Sequence, residues 1–350
     1  MNRAKLYSNV LVKVGVERSY LLSENKLKTL TRCKNLEELA SELKGTIYGE
    51  KLAKIASPYT SRKFERVFRE NFTEVCCKMV QNSPENVSEF LKAYLLRFEH
   101  KNIKTILRAA SVGLSYEEIM SRIYMSVEDF LKRRDILVKA AMATHVKSVV
   151  DALKDTVYGP LLSAGLRKYE ETRSTKFFDL LLDRMFYEKL GEAFKNLPKK
   201  EQRDAFFYVS METDGFNLLT ILRAKILGYD SHWIRMAISR NFYNVPEQTI
   251  EALLMANGFE TAFNIAKQSY YKKFFIKSGA PEETVSRAEE SFRKAVLEHA
   301  KKTKIGDLFN VGTVLGFMVE KEVEAYNLIA ISLGTEYGWK SDDILSVLFL

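Results

Sequence analysis

A twelve-residue segment recurs within the chain, and this repeat limits the possible folds more than any other feature. NIKTILRAASVG (102–113) and NLLTILRAKILG (217–228) agree at seven of twelve aligned positions without a gap. A weaker third copy, NLIAISLGTEYG, covers 327–338, and a carboxylate stands three residues before each copy. We therefore predict three diverged copies of one structural unit.

A second element repeats in step with the first. LKGTIYG (43–49) and LKDTVYG (153–159) contain a tyrosine whose weak third counterpart is Tyr271. The intervals from these tyrosines to the asparagines of the first element are 54, 59 and 56 residues, which supports the third match. The sequence predicts helical repeat units at 1–125, 126–240 and 241–350. The residues that define the repeat are Tyr48, Gly49, Glu99, Asn102, Arg108, Gly113, Tyr158, Gly159, Asp214, Asn217, Arg223, Gly228, Glu324, Asn327 and Gly338.

The composition and local patterns favour helix throughout. Only 16 Gly and 6 Pro occur in 350 residues, which is too little punctuation for a strand-and-turn architecture. Apolar residues at 103, 106, 107 and 110 form one stripe of a helix. No alternation of strand and helix is visible, so we predict an all-α fold.

Each repeat is predicted to end in a helix, a glycine turn and a second helix. Gly113 suits the left-handed residue that closes the first helix, and Ser115 with Glu118 forms a capping box for the second. Asp230 and Ser341 are the corresponding caps in the other copies. Longer helices are predicted over 62–81, 127–154 and 282–302.

The repeated carboxylate and asparagine are predicted to flank or face the core. On a helical wheel, Glu99 lies near Asn102 and the apolar stripe. Two interpretations remain open: a hydrogen-bonded polar pair that fixes the helix register, and an ion or proton site with a raised carboxylate pKa. The structural interpretation is favoured, because a catalytic site hardly needs three copies. Arg108 and Arg223 project to the opposite side, where the third copy has Leu333.

Residue patterns typical of catalysis are missing from the sequence. It has no phosphate-binding loop, dinucleotide fingerprint, HExxH or GxSxG motif. The four histidines stand far apart, and the cysteines at 33, 76 and 77 are badly spaced for zinc or disulfides. Asp342 and Asp343 suit the first turn of a helix, and the aromatic pairs at 270–271 and 274–275 suit a core. We expect no enzyme activity, cofactor or metal.

The net charge of +9 and pI near 9.1 favour an anionic partner without choosing between nucleic acid, lipid headgroups and acidic protein. Basic residues lead in the first thirty positions and again over 267–304. The most apolar stretch, 308–319, is interrupted by polar residues and glycine, so we expect no membrane-spanning helix. The few, badly spaced cysteines fit a reducing cytoplasm as the location.

The assembled elements resemble one family. They are Tyr7 with the Leu21–Leu22 pair, NLEEL at 35–39, TIYG, and RFExxNIKTILRA at 97–109. Together they are similar to the C subunits of archaeal-type and vacuolar-type rotary ATPases, whose eukaryotic equivalent is called the d subunit. The resemblance covers nearly the whole chain.

The resemblance implies a funnel of three helical domains with pseudo-threefold symmetry. Such a protein is peripheral to the membrane, on the cytoplasmic face of the proteolipid ring, and receives the central-stalk subunits of the catalytic head. It transmits torque for ATP synthesis or ATP-driven ion transport without catalysing either, and it binds no nucleic acid. Our hypothesis for the ring contact is the apolar end, Leu345–Leu350, or the basic first thirty residues.

A competing interpretation is a basic helix-turn-helix protein that binds nucleic acid. Against it, acidic residues begin the helices that follow Gly113 and Gly338, and these would face phosphates unfavourably.

Overall fold

The computed structural model describes residues 3–350, and within that range the regular secondary structure is all helical, with nineteen α-helices, one 3-10 turn and no strand. The predicted all-α class is confirmed. In chain order the helices are α1 Arg3–Ser19, α2 Glu24–Leu30, α3 Leu36–Glu42, α4 Ile47–Leu52, α5 Ser61–Asn82, α6 Glu85–Ser111, α7 Tyr116–Met120, α8 Ser126–Leu131, α9 Arg134–Ala141, α10 Val146–Ala152, α11 Gly159–Thr172, α12 Lys176–Lys195, α13 Lys199–Ile226, α14 Ser231–Ala237, α15 Glu247–Met255, α16 Gly258–Ala266, α17 Pro281–Lys302, α18 Val311–Glu336 and α19 Ser341–Ser346. The 3-10 turn covers Lys272–Phe274.

The predicted turn glycines take the left-handed conformation in all three repeats. Gly113, Gly228 and Gly338 have φ of 70°, 72° and 67° and follow the long helices α6, α13 and α18. A side chain would be strained there, so glycine ends each helix at little cost.

Two of the three predicted helix caps are confirmed. Ser115 and Glu118 form a capping box at α7, and the Asp230 carboxylate accepts a hydrogen bond from the backbone N–H of Trp233 at α14. The prediction for Ser341 is wrong, because Lys340 is the N-cap of α19 and Ser341 is its first residue. The Ser341 hydroxyl instead bonds the Thr31 hydroxyl at 2.7 Å.

The predicted helix over 127–154 is wrong, whereas those over 62–81 and 282–302 are confirmed as α5 and α17. The first region contains three short helices, α8, α9 and α10. Lys132 has a left-handed φ of 57°, and His145 is extended at φ −138° and ψ 153°. Both conformations break the helical hydrogen-bond ladder, which apolar spacing alone does not reveal.

The chain divides into two compact units. The first comprises residues 3–88, Tyr124–Phe130 and Leu297–Leu350. Its central helix is α18, which packs most extensively on α5 and also on α1, α2, α3 and α19. Because α18 is surrounded, it is buried on nearly every side, and most of its residues are apolar. Segments from near both ends of the chain thus share one core.

The second unit comprises Glu89–Ile123 and Leu131–Val296. Within it α12 packs on α11, α13 and α14, while α13 also packs on α14, α15 and α16. Aromatic side chains fill part of its core, with Phe263, Tyr271 and Phe292 in one buried cluster.

Among residues 3–350, no helix combines the length and the apolar character needed to cross a membrane.

The three cysteines are buried and free, so we expect them to be unreactive in the folded protein. Burial raises the pKa of the Cys33 thiol to about 11 and that of Cys77 to about 12. Near pH 8 the thiolate fraction of either is then ~10⁻³ or less. An aromatic disulfide reagent should detect almost no thiol in the native protein and three thiols after unfolding. A fast-reacting native thiol would contradict this.

Candidate functional site: three tyrosine–carboxylate clamps

Each repeated carboxylate accepts a hydrogen bond from one repeated tyrosine, and we call each such pair a clamp. The first clamp joins Glu99 to Tyr158, the second joins Asp214 to Tyr271 at 3.0 Å, and the third joins Glu324 to Tyr48 at 2.5 Å. All six side chains are buried. In the first two clamps the tyrosine comes from the following repeat, whereas in the third it comes from the first repeat.

The first clamp lies in the second unit. The Tyr158 hydroxyl donates to Glu99, and the Arg133 guanidinium donates to both carboxylate oxygens at 3.2 and 3.3 Å. The Tyr158 ring packs edge-on against His100, with centroids 5.4 Å apart. A partly exposed cation therefore balances the buried Glu99 charge.

The second clamp is held by neutral donors. Asp214 accepts the backbone N–H groups of Tyr243 at 3.1 Å and Asn244 at 2.8 Å, besides the Tyr271 hydroxyl. Burial raises the pKa of Asp214, although the hydrogen bonds from Asn244, Tyr243 and Tyr271 oppose that shift. Burial, followed by the Asp214 charge, raises the pKa of Tyr271. The clamp thus fixes the loop that follows α14 onto α13.

The third clamp, in the first unit, contains a fully buried ion pair. Lys321 Nζ donates to Glu324 and to the Tyr48 hydroxyl, both at 2.7 Å, and the Leu22 backbone N–H donates to Glu324 at 2.6 Å. The Lys321 side chain is 0% exposed and that of Glu324 is 5% exposed. Burial, followed by the Glu324 charge, raises the pKa of Tyr48 well above its usual value. This clamp ties α18 to the segment before α2 and to α4.

Two of the repeated asparagines hold the segment that follows the short helix after the glycine turn. Asn217 Oδ1 accepts the Ser239 N–H at 2.8 Å, and its Nδ2 donates to the Ser239 carbonyl at 3.1 Å. Asn327 makes the same pair of bonds with Phe349, at 2.9 and 2.7 Å. In both cases the partner lies 22 residues ahead, after the short helix that follows the glycine turn. In the third repeat the carboxylate and the asparagine therefore fasten separate segments, whereas Asp214 and Asn217 both hold the loop that follows α14. Asn102 is buried likewise.

The glycine after each of the first two tyrosines allows a close backbone approach. A Cβ at Gly159 would lie 2.0 Å from the Lys154 carbonyl oxygen, and one at Gly49 would lie 2.5 Å from that of Leu43. The third repeat has Lys272 at this position, within the 3-10 turn.

The repeated arginines lie on the outer side of their helices, as predicted. Arg108 on α6 pairs with Asp179 on α12 at 2.6 Å, and Arg223 on α13 pairs with Glu289 on α17. Leu333 occupies the third position and is partly exposed. Because the two arginine side chains are about half exposed, at 55% and 48%, each pair contributes about 1 kcal/mol or less to stability.

Sequence reasoning missed Lys321 and Arg133, the two cations of the clamps. Lys321 stands three residues before Glu324 inside the apolar α18, where Leu96 and Met211 occupy the corresponding positions of the other repeats. A lone lysine one helical turn from a buried carboxylate is the signal that could have found it. Arg133 lies in the region wrongly predicted as one long helix.

The clamp carboxylates accept hydrogen bonds from tyrosine, lysine, arginine and backbone donors. Within residues 3–350, no group of three or more His, Cys, Asp or Glu side chains could hold a metal ion. Buried polar groups whose hydrogen bonds are satisfied stiffen a fold.

Three of the four aromatic side chains predicted to lie in the core do so. Tyr271, Phe274 and Phe275 are buried, but Tyr270 is 69% exposed, so the prediction is wrong for that ring.

His100, beside the first clamp, should make stability depend on pH. Burial, then the Lys104 charge, lowers its pKa to about 3, from an ordinary value of 6.5. Its Nδ1–H donates to the Leu182 carbonyl at 2.8 Å. Because the pKa of His100 is lower in the folded than in the unfolded protein, the neutral imidazole makes its full contribution to stability above pH 6.5. That contribution is lost as the pH falls toward 3.

The matched variant is His100→Asn, which keeps an N–H donor but cannot ionise in this range. Between about pH 7 and pH 4, the unfolding free energy of the wild type should fall more steeply, by up to ~1.4 kcal/mol per pH unit. Urea unfolding across this range measures the difference in slope. Parallel curves for the two proteins would contradict the assignment.

Comparison with known proteins identifies the family of this chain. The family described as ATP synthase (C/AC39) subunit matches residues 10–347. The chain is 27% identical to the C subunit of the A-type ATP synthase of Methanocaldococcus jannaschii, over 98% of this chain and 86% of that protein. It is 27% identical to the protein of the same description from Methanothermobacter thermautotrophicus, over 93% of this chain and 82% of that protein. It is 25% identical to the protein of the same description from Halorubrum lacusprofundi, over 97% of both chains. The chain belongs to the ATP synthase (C/AC39) subunit family.

Proposed function

We propose that this chain is the C subunit of an A-type ATP synthase, a non-catalytic component of the central stalk that transmits torque between the catalytic head and the membrane ring. Family membership over residues 10–347 is the observation that carries the proposal. In this role the chain neither hydrolyses ATP nor conducts ions. It is a peripheral component on the cytoplasmic face of a membrane complex.

The three clamps suit a part that carries torque. A coupling protein must deform little under load, and packed helices with satisfied buried polar groups have low compliance. Each clamp fastens a long helix to a segment 57, 59 or 276 residues away in sequence. Local loosening of one repeat is thereby resisted by the next.

We also propose the pseudo-threefold arrangement and the repeat units 1–125, 126–240 and 241–350. The support is the order of the clamps. Repeat two supplies the tyrosine for the carboxylate of repeat one, repeat three supplies it for repeat two, and repeat one supplies it for repeat three. A cyclic order of this kind suits three equivalent helical modules closed around an axis, as in a funnel that receives the stalk foot.

The ring contact is proposed for the N-terminal helix rather than for the C-terminal end. Leu348 and Phe349 are buried in the first unit, and Phe349 is held by Asn327. In contrast α1 exposes Val12 and Val16 on one face, and Tyr20 follows at the same four-residue spacing. Exchange of these three for serine should detach the chain from the ring, and unchanged attachment would remove the hypothesis.

The direct test is affinity purification of the tagged chain from gently solubilised membranes, followed by mass spectrometry. Stoichiometric recovery of a proteolipid and of central-stalk subunits is expected. Recovery of nucleic acid without membrane subunits, with binding that weakens as salt rises, would overturn the proposal in favour of the helix-turn-helix alternative.

A further inference from the structure

The third repeat presents a basic surface that the clamps do not require. Residues 267–277 contain four lysines and no carboxylate, a charge of +4. The corresponding 44–54 carries three lysines against Glu50, and 154–164 carries one lysine against Asp155, which gives +2 and 0. All four lysines are exposed, together with two apolar side chains. We call this set the lysine patch: Lys267, Tyr270, Lys272, Lys273, Ile276 and Lys277.

The patch stands on a rigid support. Between its exposed residues the buried Tyr271, Phe274 and Phe275 anchor the same segment in the core, and Tyr271 belongs to the second clamp. The Lys273 ammonium lies 4.9 Å above the Phe274 ring. The backbone that carries the four lysines is therefore anchored to the core rather than part of a loose loop.

Most of this charge is uncompensated. Lys277 pairs with Glu260 at 2.8 Å, where both side chains are more than half exposed. Within residues 3–350, Lys267, Lys272 and Lys273 form no ion pair with a carboxylate. Tyr270 is 69% exposed and Ile276 is 68% exposed among them. Apolar side chains amid unpaired cations are costly in water and suit an anionic partner with an apolar layer beneath its charges.

We propose that the lysine patch binds anionic phospholipid headgroups at the membrane surface, with Tyr270 and Ile276 entering the interface. All four cations are lysines, which are depleted in protein–protein interfaces, whereas arginine is enriched there. Lysines near an anionic membrane contribute diffuse attraction, and tyrosine favours the boundary between headgroups and acyl chains. The inference rests on the proposed function, because a membrane complex places the chain beside lipid.

The first experiment is co-sedimentation of the full chain with phosphatidylcholine vesicles, with and without phosphatidylglycerol. Binding is expected only to the anionic vesicles and should weaken with salt. Replacement of all four patch lysines by glutamine should weaken it several-hundredfold, since each contributes roughly a fivefold factor. Equal binding to both vesicle types would overturn the proposal.

A charge-matched control separates the patch from net charge. Lys34, Lys44, Lys54 and Lys147 are exposed elsewhere, and their replacement by glutamine removes the same four charges. This control should bind anionic vesicles nearly as the wild type does. An equal loss in both quadruple variants would show that only net charge matters and would overturn the proposal.

A fluorescent label tests the apolar part of the contact. The native cysteines are buried, so Ile276→Cys can be labelled selectively with an environment-sensitive dye, with the equally exposed Met255→Cys as control. Anionic vesicles should shift the emission to the blue at 276 and leave it unchanged at 255. No shift at 276, or patch-dependent binding to nucleic acid or to an acidic stalk protein without vesicle binding, would overturn the proposal.

The two proposals fail separately. The quadruple patch variant should still co-purify with the proteolipid and stalk subunits, because lipid contact adds to that assembly. If the wild-type chain recovers no such subunits, the proposed function fails whatever the vesicles show.

Discussion

Replacement of Lys321 by methionine should destabilise the protein by about 3–5 kcal/mol near neutral pH, because it leaves the buried Glu324 charge without its cation. Methionine fills a similar volume, so lost packing adds little. The Tyr48 hydroxyl and the Leu22 N–H would remain as donors to Glu324. Urea unfolding followed by circular dichroism measures the loss.

The chain supplies a matched control. Lys189 pairs with Glu192 at 2.8 Å with the same three-residue spacing, but the side chains are 45% and 62% exposed. Lys189→Met should therefore cost about 0.5 kcal/mol or less. Equal losses for Lys321→Met and Lys189→Met would show that burial of the ion pair does not determine its contribution.

A double variant tests the same cause. Lys321→Met with Glu324→Gln removes the buried charge together with its cation, so it should recover much of the stability that Lys321→Met alone loses.

Local chemistry makes the turns predictable, whereas the pairings in the clamps could not be predicted from the sequence. Gly113 and its counterparts can be identified because a left-handed helix end needs glycine within a few residues of the stripe it closes. The partner of Glu324 is Tyr48, 276 residues away, and nothing in one sequence specifies which of seventeen tyrosines that is. The repeat identifies the right residue types, but their pairing across repeats depends on tertiary packing.

Two wrong predictions have the same physical origin. The helix over 127–154 rests on apolar spacing alone, yet Lys132 and His145 leave the helical conformation within it. The prediction of Ser341 as a cap rests on its residue type, but the backbone starts α19 one residue earlier in register. Helix ends depend on backbone dihedrals and on tertiary contacts, which residue preference describes only weakly.

Replacement of Gly159 by alanine should cost about 3 kcal/mol or more, because the new methyl group meets main chain that cannot move aside cheaply. The added Cβ would lie 2.0 Å from the Lys154 carbonyl oxygen and 2.7 Å from its carbon. Relief of that overlap requires the turn before α11 to shift, and this turn positions Tyr158 in the first clamp. We expect a lower thermal midpoint together with looser packing around Tyr158.

Gly15→Ala is the control, since nothing lies within 4 Å of a Cβ at Gly15 in the exposed part of α1. Alanine there should stabilise the protein by up to about 1 kcal/mol through its higher helix propensity. The same substitution is thus expected to change stability in opposite directions at Gly15 and Gly159. Gly49→Ala should destabilise the protein as Gly159→Ala does, because its Cβ would lie 2.5 Å from the Leu43 carbonyl oxygen. Differential scanning calorimetry of the three variants measures their thermal midpoints and tests these predictions. If all three behave alike, the glycine after each clamp tyrosine reflects helix propensity only and not the close backbone approach.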